Sequence, residues 1–193
     1  MFMAAAQLNA ILSAARAGRV NRVGVLEPVR VELRAWPWLC DALGHVNNAR
    51  YLDLADLGRG AWLARTGLLT RVLRQRYSFL VAGTSIVYRR EIPRFAAFAL
   101  ETQVVGYDER WLSFSVTYLV RHNDGVERVA ARAIVRGQIR GKAGAVSPLT
   151  LSRELALTAP STPPPDLTAA WHAQDSLVDA IRARDGRSEP PAT

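Results

Sequence analysis

One stretch before a long apolar stripe decides the fold of this chain: residues 41–51 read Asp-Ala-Leu-Gly-His-Val-Asn-Asn-Ala-Arg-Tyr. The stretch brings a carboxylate, a glycine and two adjacent asparagines together. Asparagine commonly caps the first turn of a helix, so Asn47 or Asn48 is expected to start one. The stretch therefore predicts a loop that leads directly into a helix.

The predicted helix runs to Arg65, and Gly67 is its expected stop. Its apolar residues recur at spacings of three and four, which is typical of a helix with one buried face. Small residues on this face allow a sheet to approach the helix closely. The stripe consists of Tyr51, Leu54, Ala55, Gly58, Ala61 and Trp62.

Strand patterns lie on both sides of this helix. Residues 29–35 alternate apolar and charged side chains, which predicts a half-buried first strand. After a short basic segment at 69–76, four runs follow with no helical pattern between them, at roughly 79–92, 97–107, 111–122 and 126–139. The sequence Asn123-Asp124-Gly125 is a strong hairpin signal, because these residues tolerate positive φ. The last three runs therefore predict an antiparallel meander.

The last run predicts a strand with one core face and one polar face, because its side chains alternate strictly. The core face is expected to hold Val129, Ala131, Ala133 and Val135, and the polar face Arg128, Arg132 and Arg136.

The length of 193 residues suits one domain with a full core. We divide the chain into an N-terminal extension with a short helix (1–27), the folded domain (28–157) and a C-terminal region (158–193). The C-terminal region is expected to hold a Pro-rich linker, a short helix capped by Asp166 and a flexible tail. No apolar run approaches the roughly 20 residues that a membrane span needs.

Composition bears on location and partners. Cys40 is the single cysteine and residues 1–20 lack the features of a secretory signal, so we expect a cytoplasmic protein. An amphipathic pattern at Arg16, Arg19 and Arg22 leaves an interfacial or organelle-targeting helix open. The net charge of +8 suits an anionic partner, but the basic residues are dispersed and nucleic acid is not expected.

This motif, in this order of elements, resembles the acyl-CoA thioesterases of the 4-hydroxybenzoyl-CoA thioesterase type within the hotdog superfamily. In that group Asp-x-x-Gly-His-Val-Asn-Asn-x-x-Tyr precedes the central helix, and the resemblance covers roughly residues 28–138. It implies an α+β hotdog fold, in which an antiparallel sheet wraps one long helix. It also implies hydrolysis of an acyl-CoA to a free acid and CoA, without a metal or a cofactor.

The resemblance assigns catalytic roles within the motif. Asp41 is either the base that activates water or the nucleophile that forms a transient anhydride, and the sequence does not choose between them. The backbone amide near Asn48 is the candidate oxyanion donor, since amides at a helix start lack partners within the helix. His45 either assists the reaction or holds the loop by hydrogen bonds. An ordinary turn role for Asp41 is the alternative.

Substrate contacts are expected from the same region. Gly44 permits a close approach or an unusual backbone angle, while Val46, Asn47 and Tyr51 are expected to border the site. Arginines on strands can bind the phosphates of coenzyme A, although solvated strand faces are the commoner reason for them. The foremost are Arg89 and Arg90, followed by Arg94, Arg128 and Arg132. Hotdog sites usually form between subunits, so we expect a homodimer or a dimer of dimers.

Leu39 departs from the family pattern, because many relatives carry a second acid two positions before the catalytic one. This departure leaves a non-catalytic acyl-binding protein open as an alternative. A basic surface also suits an acidic acyl-carrier protein, so a carrier-protein thioesterase is a further alternative. Asp53 and Asp56, on the polar side of the helix, are minor catalytic candidates, and Cys40 is expected to be a packing residue.

Overall fold

Six strands and four α-helices follow one another along the part of the chain that a computed structural model describes, residues 22–122, 124–155 and 165–184. The strands are β1 (Val29–Arg34), β2 (Ser78–Tyr88), β3 (Ala97–Tyr107), β4 (Leu112–Arg121), β5 (Glu127–Gly141) and β6 (Gly144–Val146). The helices are α1 (Arg50–Thr66), α2 (Leu69–Gln75), α3 (Pro148–Glu154) and α4 (Pro165–Arg184). The expected helix within 1–27, the Pro-rich linker and the flexible tail fall largely on residues outside this part.

The sheet has the strand order β1-β3-β4-β5-β2, and every neighbouring pair is antiparallel. The expected meander of β3, β4 and β5 is confirmed. Its second hairpin turns at Gly125, whose φ of 76° is left-handed, and His122 and Val126 close it with a backbone hydrogen bond of 3.0 Å. The predicted α+β arrangement, with an antiparallel sheet around one long helix, is therefore confirmed.

Helix α1 packs into this sheet along the predicted stripe, all of whose residues are buried. Gly67 ends the helix in a left-handed conformation and donates its amide to Ala64, as the sequence predicts. The side chains of Tyr51 and Leu54 are each 2% exposed, and burying one side chain of this size contributes roughly 1.5–3 kcal/mol. Packing of this face, more than helix propensity, holds α1 in place.

Two predicted elements differ from the structure. Residues 69–76, predicted only as a basic segment, begin with the seven-residue helix α2. Strand β2 ends at Tyr88, before the expected residue 92, because the amides of Arg89 and Arg90 both donate to the carbonyl oxygen of Ala130. Both amides therefore leave the regular ladder, and the chain turns toward the loop before α1.

The alternation of β5 is interrupted by a bulge, which corrects the expected position of Val129. Opposite β4 the register shifts between Tyr118 and Leu119, so Ala130 is an extra residue on β5. A bulge moves the following side chains to the other face of the sheet. Ala130 is fully buried in the core, whereas Val129 lines an open groove with Arg132.

Arg136 was expected on a polar face, but it is 6% exposed. Its guanidinium lies between the rings of Trp111 and Trp171, 4.6 and 4.7 Å from their centroids. It also donates hydrogen bonds of 2.6 and 3.1 Å to the two carboxylate oxygens of Asp175. Helix α4 therefore covers the face of the sheet opposite α1 and buries this arginine.

Helix α4 includes Asp166, which was expected to cap it. Among the described residues, no helix is long and apolar enough to cross a membrane.

Candidate active site

The loop before α1 folds back on itself. The amide of Asp41 donates to the carbonyl oxygen of His45 at 3.0 Å, and the amide of Asn47 donates to that of Leu39 at 2.9 Å. Gly44 lies at the tip with a φ of 85°, a conformation that favours glycine. This turn holds Asp41 and His45 side by side, next to the start of the helix.

A second segment holds the loop from its other side. The amide of Val46 donates to the carbonyl oxygen of Ile92 at 2.9 Å, and the amide of Arg94 donates to that of Gly44 at 2.8 Å. Residues 92–94 therefore fix the loop by their backbone. Sequence analysis considered Arg94 only as a phosphate ligand and missed this role, for which the pattern carries no signal.

The two carboxylate oxygens of Asp41 have different surroundings. Oδ1 accepts a hydrogen bond of 2.9 Å from the amide of Leu43, which is the geometry of a turn residue. Oδ2 lies 3.4 Å from Nδ1 of His45. The Asp41 and His45 side chains are 25% and 22% exposed, so water reaches both. The turn role and a chemical role therefore use different oxygens of one carboxylate.

At the helix start, one backbone amide has no partner among the described residues. The side chain of Asn47 accepts from the amide of Ala49 at 2.9 Å, and its carbonyl oxygen accepts from that of Arg50. The helix proper begins at Arg50, slightly later than expected, and Asn47 caps the turn that leads into it. Of the amides of residues 47–50, only that of Asn48 donates to no described residue. Its N–H is available to an acceptor from outside.

Val46 and Tyr51, which were expected to border the substrate, lie behind the loop. Each is 2% exposed and belongs to the core. The Tyr51 ring packs against Tyr88 and Tyr118, and burial, with smaller contributions from nearby groups, raises its pKa to about 12. The Tyr88 hydroxyl donates to the carbonyl oxygen of Asn48 at 3.2 Å. These side chains support the loop and the helix start from behind.

The arginines proposed as phosphate ligands are dispersed. The Arg90 guanidinium donates to the carbonyl oxygen of Val129, and Arg89 lines the open groove that Arg132 shares. Arg128 is paired with Asp124 in the hairpin. Arg89 and Arg90 directly follow Tyr88, whose hydroxyl contacts the carbonyl oxygen of Asn48. Of these arginines, they are therefore the nearest in sequence to that contact.

Leu39 and Cys40 pack beside the loop. Leu39 is 5% exposed within the core, where a carboxylate would be desolvated. The Cys40 thiol donates to the carbonyl oxygen of Trp36 at 3.5 Å. Burial raises the pKa of this thiol, and the Arg94 guanidinium opposes this only in part. A protonated, half-buried thiol agrees with the predicted packing role.

An exposed aromatic cluster flanks the loop. Trp36 and Trp38 stack with ring centroids 5.5 Å apart, and Phe95 meets Trp36 edge-on at 6.3 Å. The three side chains are 44–51% exposed. Sequence analysis treated residues 36–38 only as an interruption of the first strand. Their exposure gives one side of the site an apolar surface.

A family model described as the thioesterase-like superfamily matches residues 35–171, well over half of the chain. The protein belongs to this superfamily. The match includes the whole loop, α1 and the strands β2 to β6, and it begins directly after β1. The family predicted from the motif is therefore confirmed.

Particular relatives refine this placement. The chain is 32% identical over 87 residues to Protein THEM6 of Drosophila melanogaster, covering 45% of each protein. It is 25% identical over 123 residues to thioesterase poxG of Penicillium oxalicum, covering 53% of this chain and 38% of that protein. The chain thus matches less than half the length of either relative.

A solved structure confirms the predicted hotdog architecture. The 4-hydroxybenzoyl-CoA thioesterase of Pseudomonas sp. strain CBS-3 superposes with a TM-score of 0.59 at 13% identity. The superposition covers 66% of this chain and 98% of that enzyme. At this identity the likeness defines the fold.

Proposed function

We propose that this protein is an acyl-CoA thioesterase, which hydrolyses an acyl-CoA to a free carboxylic acid and CoA. The observation that carries the proposal is the loop itself. It holds the partly exposed carboxylate of Asp41 and the amide of Asn48, which donates to no described residue, on one hydrogen-bonded segment. A thioester hydrolase needs a base or nucleophile and an oxyanion donor, and the two groups match that pair.

In the proposed reaction, Oδ2 of Asp41 promotes attack on the thioester carbonyl carbon in one of two ways. It removes a proton from the attacking water, or it attacks directly and forms an anhydride that water then opens. In both routes the carbonyl oxygen becomes an oxyanion, which the Asn48 amide binds. The carbon–sulfur bond breaks, and the CoA thiolate leaves and takes up a proton.

His45 is proposed as a positioning residue. Its Nδ1 lies 3.4 Å from Oδ2 of Asp41, on the oxygen that the turn does not use. A ring at this position can orient the carboxylate and balance its charge. The turn fixes the backbone that carries the ring, because the carbonyl oxygen of His45 accepts a hydrogen bond from the Asp41 amide.

Coenzyme A is the proposed carrier of the acyl group. Its phosphates complement the net charge of +8, and arginine binds phosphate well through paired N–H donors. Arg89 and Arg90 are the proposed contacts, since they follow the strand whose last residue touches the helix start. An acidic acyl-carrier protein fits the same charge and is the competing substrate.

The direct test is release of free thiol from a panel of short, long and aromatic acyl-CoAs. Asp41→Asn should lower turnover by at least about 100-fold, the scale of a lost base or nucleophile, without changing the melting temperature. Asp53→Asn is the matched control, because Asp53 is a half-exposed helix carboxylate paired with Arg50. If wild type releases no thiol, or Asp41→Asn retains full activity, the proposal is wrong. Comparing one acyl group on CoA and on a carrier protein separates the two substrates.

A homodimer is proposed through the free edge of β2. This strand of 11 residues pairs with β5 on one side only among the described elements. Several of its side chains are large, apolar and half-exposed: Leu80, Val81, Val87 and Tyr88. A long apolar edge strand readily pairs with another copy.

Sedimentation of full-length protein tests the dimer. Val81→Lys, at the β2 edge, should yield monomer, because a charge on an edge strand opposes strand pairing. Leu73→Lys is the control, since Leu73 is 68% exposed but lies on α2. A monomeric wild type, or a Val81→Lys variant that remains dimeric, contradicts the proposed interface.

A further inference from the structure

A cavity lies near the C-terminal end of α1, away from the Asp41 loop. Its volume is about 150 Å³, and α1, α2, α3 and four strands contribute to its walls. Trp62 lies in one wall. It is about 20 Å from Asn48 along the axis of α1, since a helix rises about 1.5 Å per residue. Neither Asp41 nor the helix start lines it. This cavity is therefore separate from the candidate active site.

The walls of the cavity are almost entirely apolar. The Trp62 and Phe79 rings both meet Phe114 edge-on, at 5.1 and 5.6 Å between centroids. A volume of about 150 Å³ is enough for a molecule the size of benzene. The space fits one ring or a short hydrocarbon chain. Leu63, Val72 and Leu151 also line the cavity.

Arg59 places a mostly buried cation in this wall. Its side chain is 12% exposed, and its guanidinium lies 5.2 Å from the centroid of Phe79. Its ion-pair partner, Asp56, is 64% exposed and lies toward solvent. Burial lowers the pKa of Arg59, and the ion pair with Asp56 opposes this only in part. An anionic group inside the cavity would complete that compensation.

Arg71 brings a second donor to the same cavity. Its terminal nitrogen pairs with Glu154, which ties α2 to α3. Its Nε is buried and has no hydrogen-bond partner among the described residues. A buried donor without an acceptor is unfavourable, so an acceptor here would stabilise the folded chain.

From these walls and cations we infer that the cavity binds a small apolar carboxylic acid. The hydrocarbon part lies among Trp62, Phe79 and Phe114, and the carboxylate faces Arg59 and Arg71. This inference does not depend on hydrolysis at Asp41, because binding requires no turnover. Apolar walls select the hydrocarbon, and the two arginines select the acid over a neutral analogue.

Calorimetric titration of full-length protein tests the inference. The probes are hexanoate and phenylacetate, each compared with its neutral primary amide. Each acid should bind roughly tenfold or more tightly than its amide, the scale of a hydrogen bond to a charged group. Arg59→Met should remove that preference. Arg128→Met is the control, because Arg128 pairs with Asp124 in the distant hairpin and should bind as wild type does.

Two filling variants locate the bound acid. Val72→Phe on α2 and Leu151→Phe on α3 enlarge partly exposed wall residues from different helices. Both should abolish binding while circular dichroism and the melting temperature show a folded chain. Asp41→Asn should bind the acids as wild type does.

Each contrary outcome overturns part or all of the inference. Equal binding of acid and amide removes the role of the arginines. A changed affinity in Asp41→Asn, in either direction, places the acid in the candidate active site. Binding that survives in a folded filling variant places it elsewhere. No binding of either acid means that the cavity is not a ligand site, including the case in which another segment of the chain fills it.

Discussion

Gly58 of α1 lies so close to Thr102 of β3 that a Cβ atom on Gly58 would stand 2.3 Å from the Thr102 Oγ1. Thr102 is fully buried, and its Oγ1 has no hydrogen-bond partner among the described residues. The contact sets how deeply the helix enters the sheet. A methyl group at Gly58 therefore requires a shift of Thr102 or of the helix.

Gly58→Ala should destabilise the protein by up to about 2 kcal/mol. Overpacking costs about 1–3 kcal/mol, which exceeds the gain of about 1 kcal/mol that alanine brings within a helix. Thr102→Ala should restore stability in the double variant, because the next Thr102 atom lies 3.5 Å away, at an ordinary contact distance. Denaturant unfolding of the four proteins measures this coupling, and strictly additive effects would contradict it.

Asn48→Pro should lower the turnover number about 100- to 1000-fold, the value of one oxyanion donor. Proline removes the amide and is tolerated in the first turn of a helix, so the fold should persist. Asn48→Ala keeps the amide and should keep most activity. The comparison uses steady-state thiol release with melting curves for both variants. Loss of activity in Asn48→Ala instead would assign the role to the side chain.

Arg136→Lys should loosen α4 from the sheet although the charge is kept. A lysine cannot stack flat between Trp111 and Trp171 or bind both oxygens of Asp175. Hydrogen exchange within residues 165–184, read by mass spectrometry, should become faster. Arg132→Lys is the control, because Arg132 is exposed on the same strand. Unchanged exchange in Arg136→Lys would show that other contacts dock the helix.

The docking of α4 should weaken at acid pH. Hydrogen bonds from Arg136 lower the pKa of Asp175 below its ordinary value of 3.8. The stabilisation is therefore present above the unfolded-state pKa and is lost as the pH falls through the folded-state pKa. The Asp175 side chain is 50% exposed, so the effect is modest. Fluorescence of Trp171 between about pH 5 and pH 2 should change in wild type and less in Asp175→Asn.

Local sequence patterns predicted the main elements and the family. The period of α1, the alternation of the strands and the turn at residues 123–125 depend on near neighbours, so they can be read directly. The motif at 41–51 predicted the loop. Asn47 caps the turn that leads into α1, and the amide of Asn48 donates to no described residue.

Other features depend on distant parts of the chain, and the sequence did not reveal them. Ala130 forms a bulge because β4 pairs around it, so Val129 faces outward. Arg136 is buried because α4, more than 25 residues later, covers it. The helix α2 is short and basic, and residues distant in the sequence supply its apolar contacts. Burial of Val46 and Tyr51 likewise follows from tertiary packing, which a motif does not show.

The double attachment of the loop also has a consequence for its motion. Its backbone is bonded to Ile92 and Arg94 on one side and to Leu39 on the other. The amides of Val46 and Asn47 should therefore exchange with solvent only when these loop contacts open, while the neighbouring amide of Asn48 exchanges from the native state. The two bonded amides hold the loop rigid directly beside the amide of Asn48. A ligand that binds this amide therefore loses very little conformational entropy by ordering the loop.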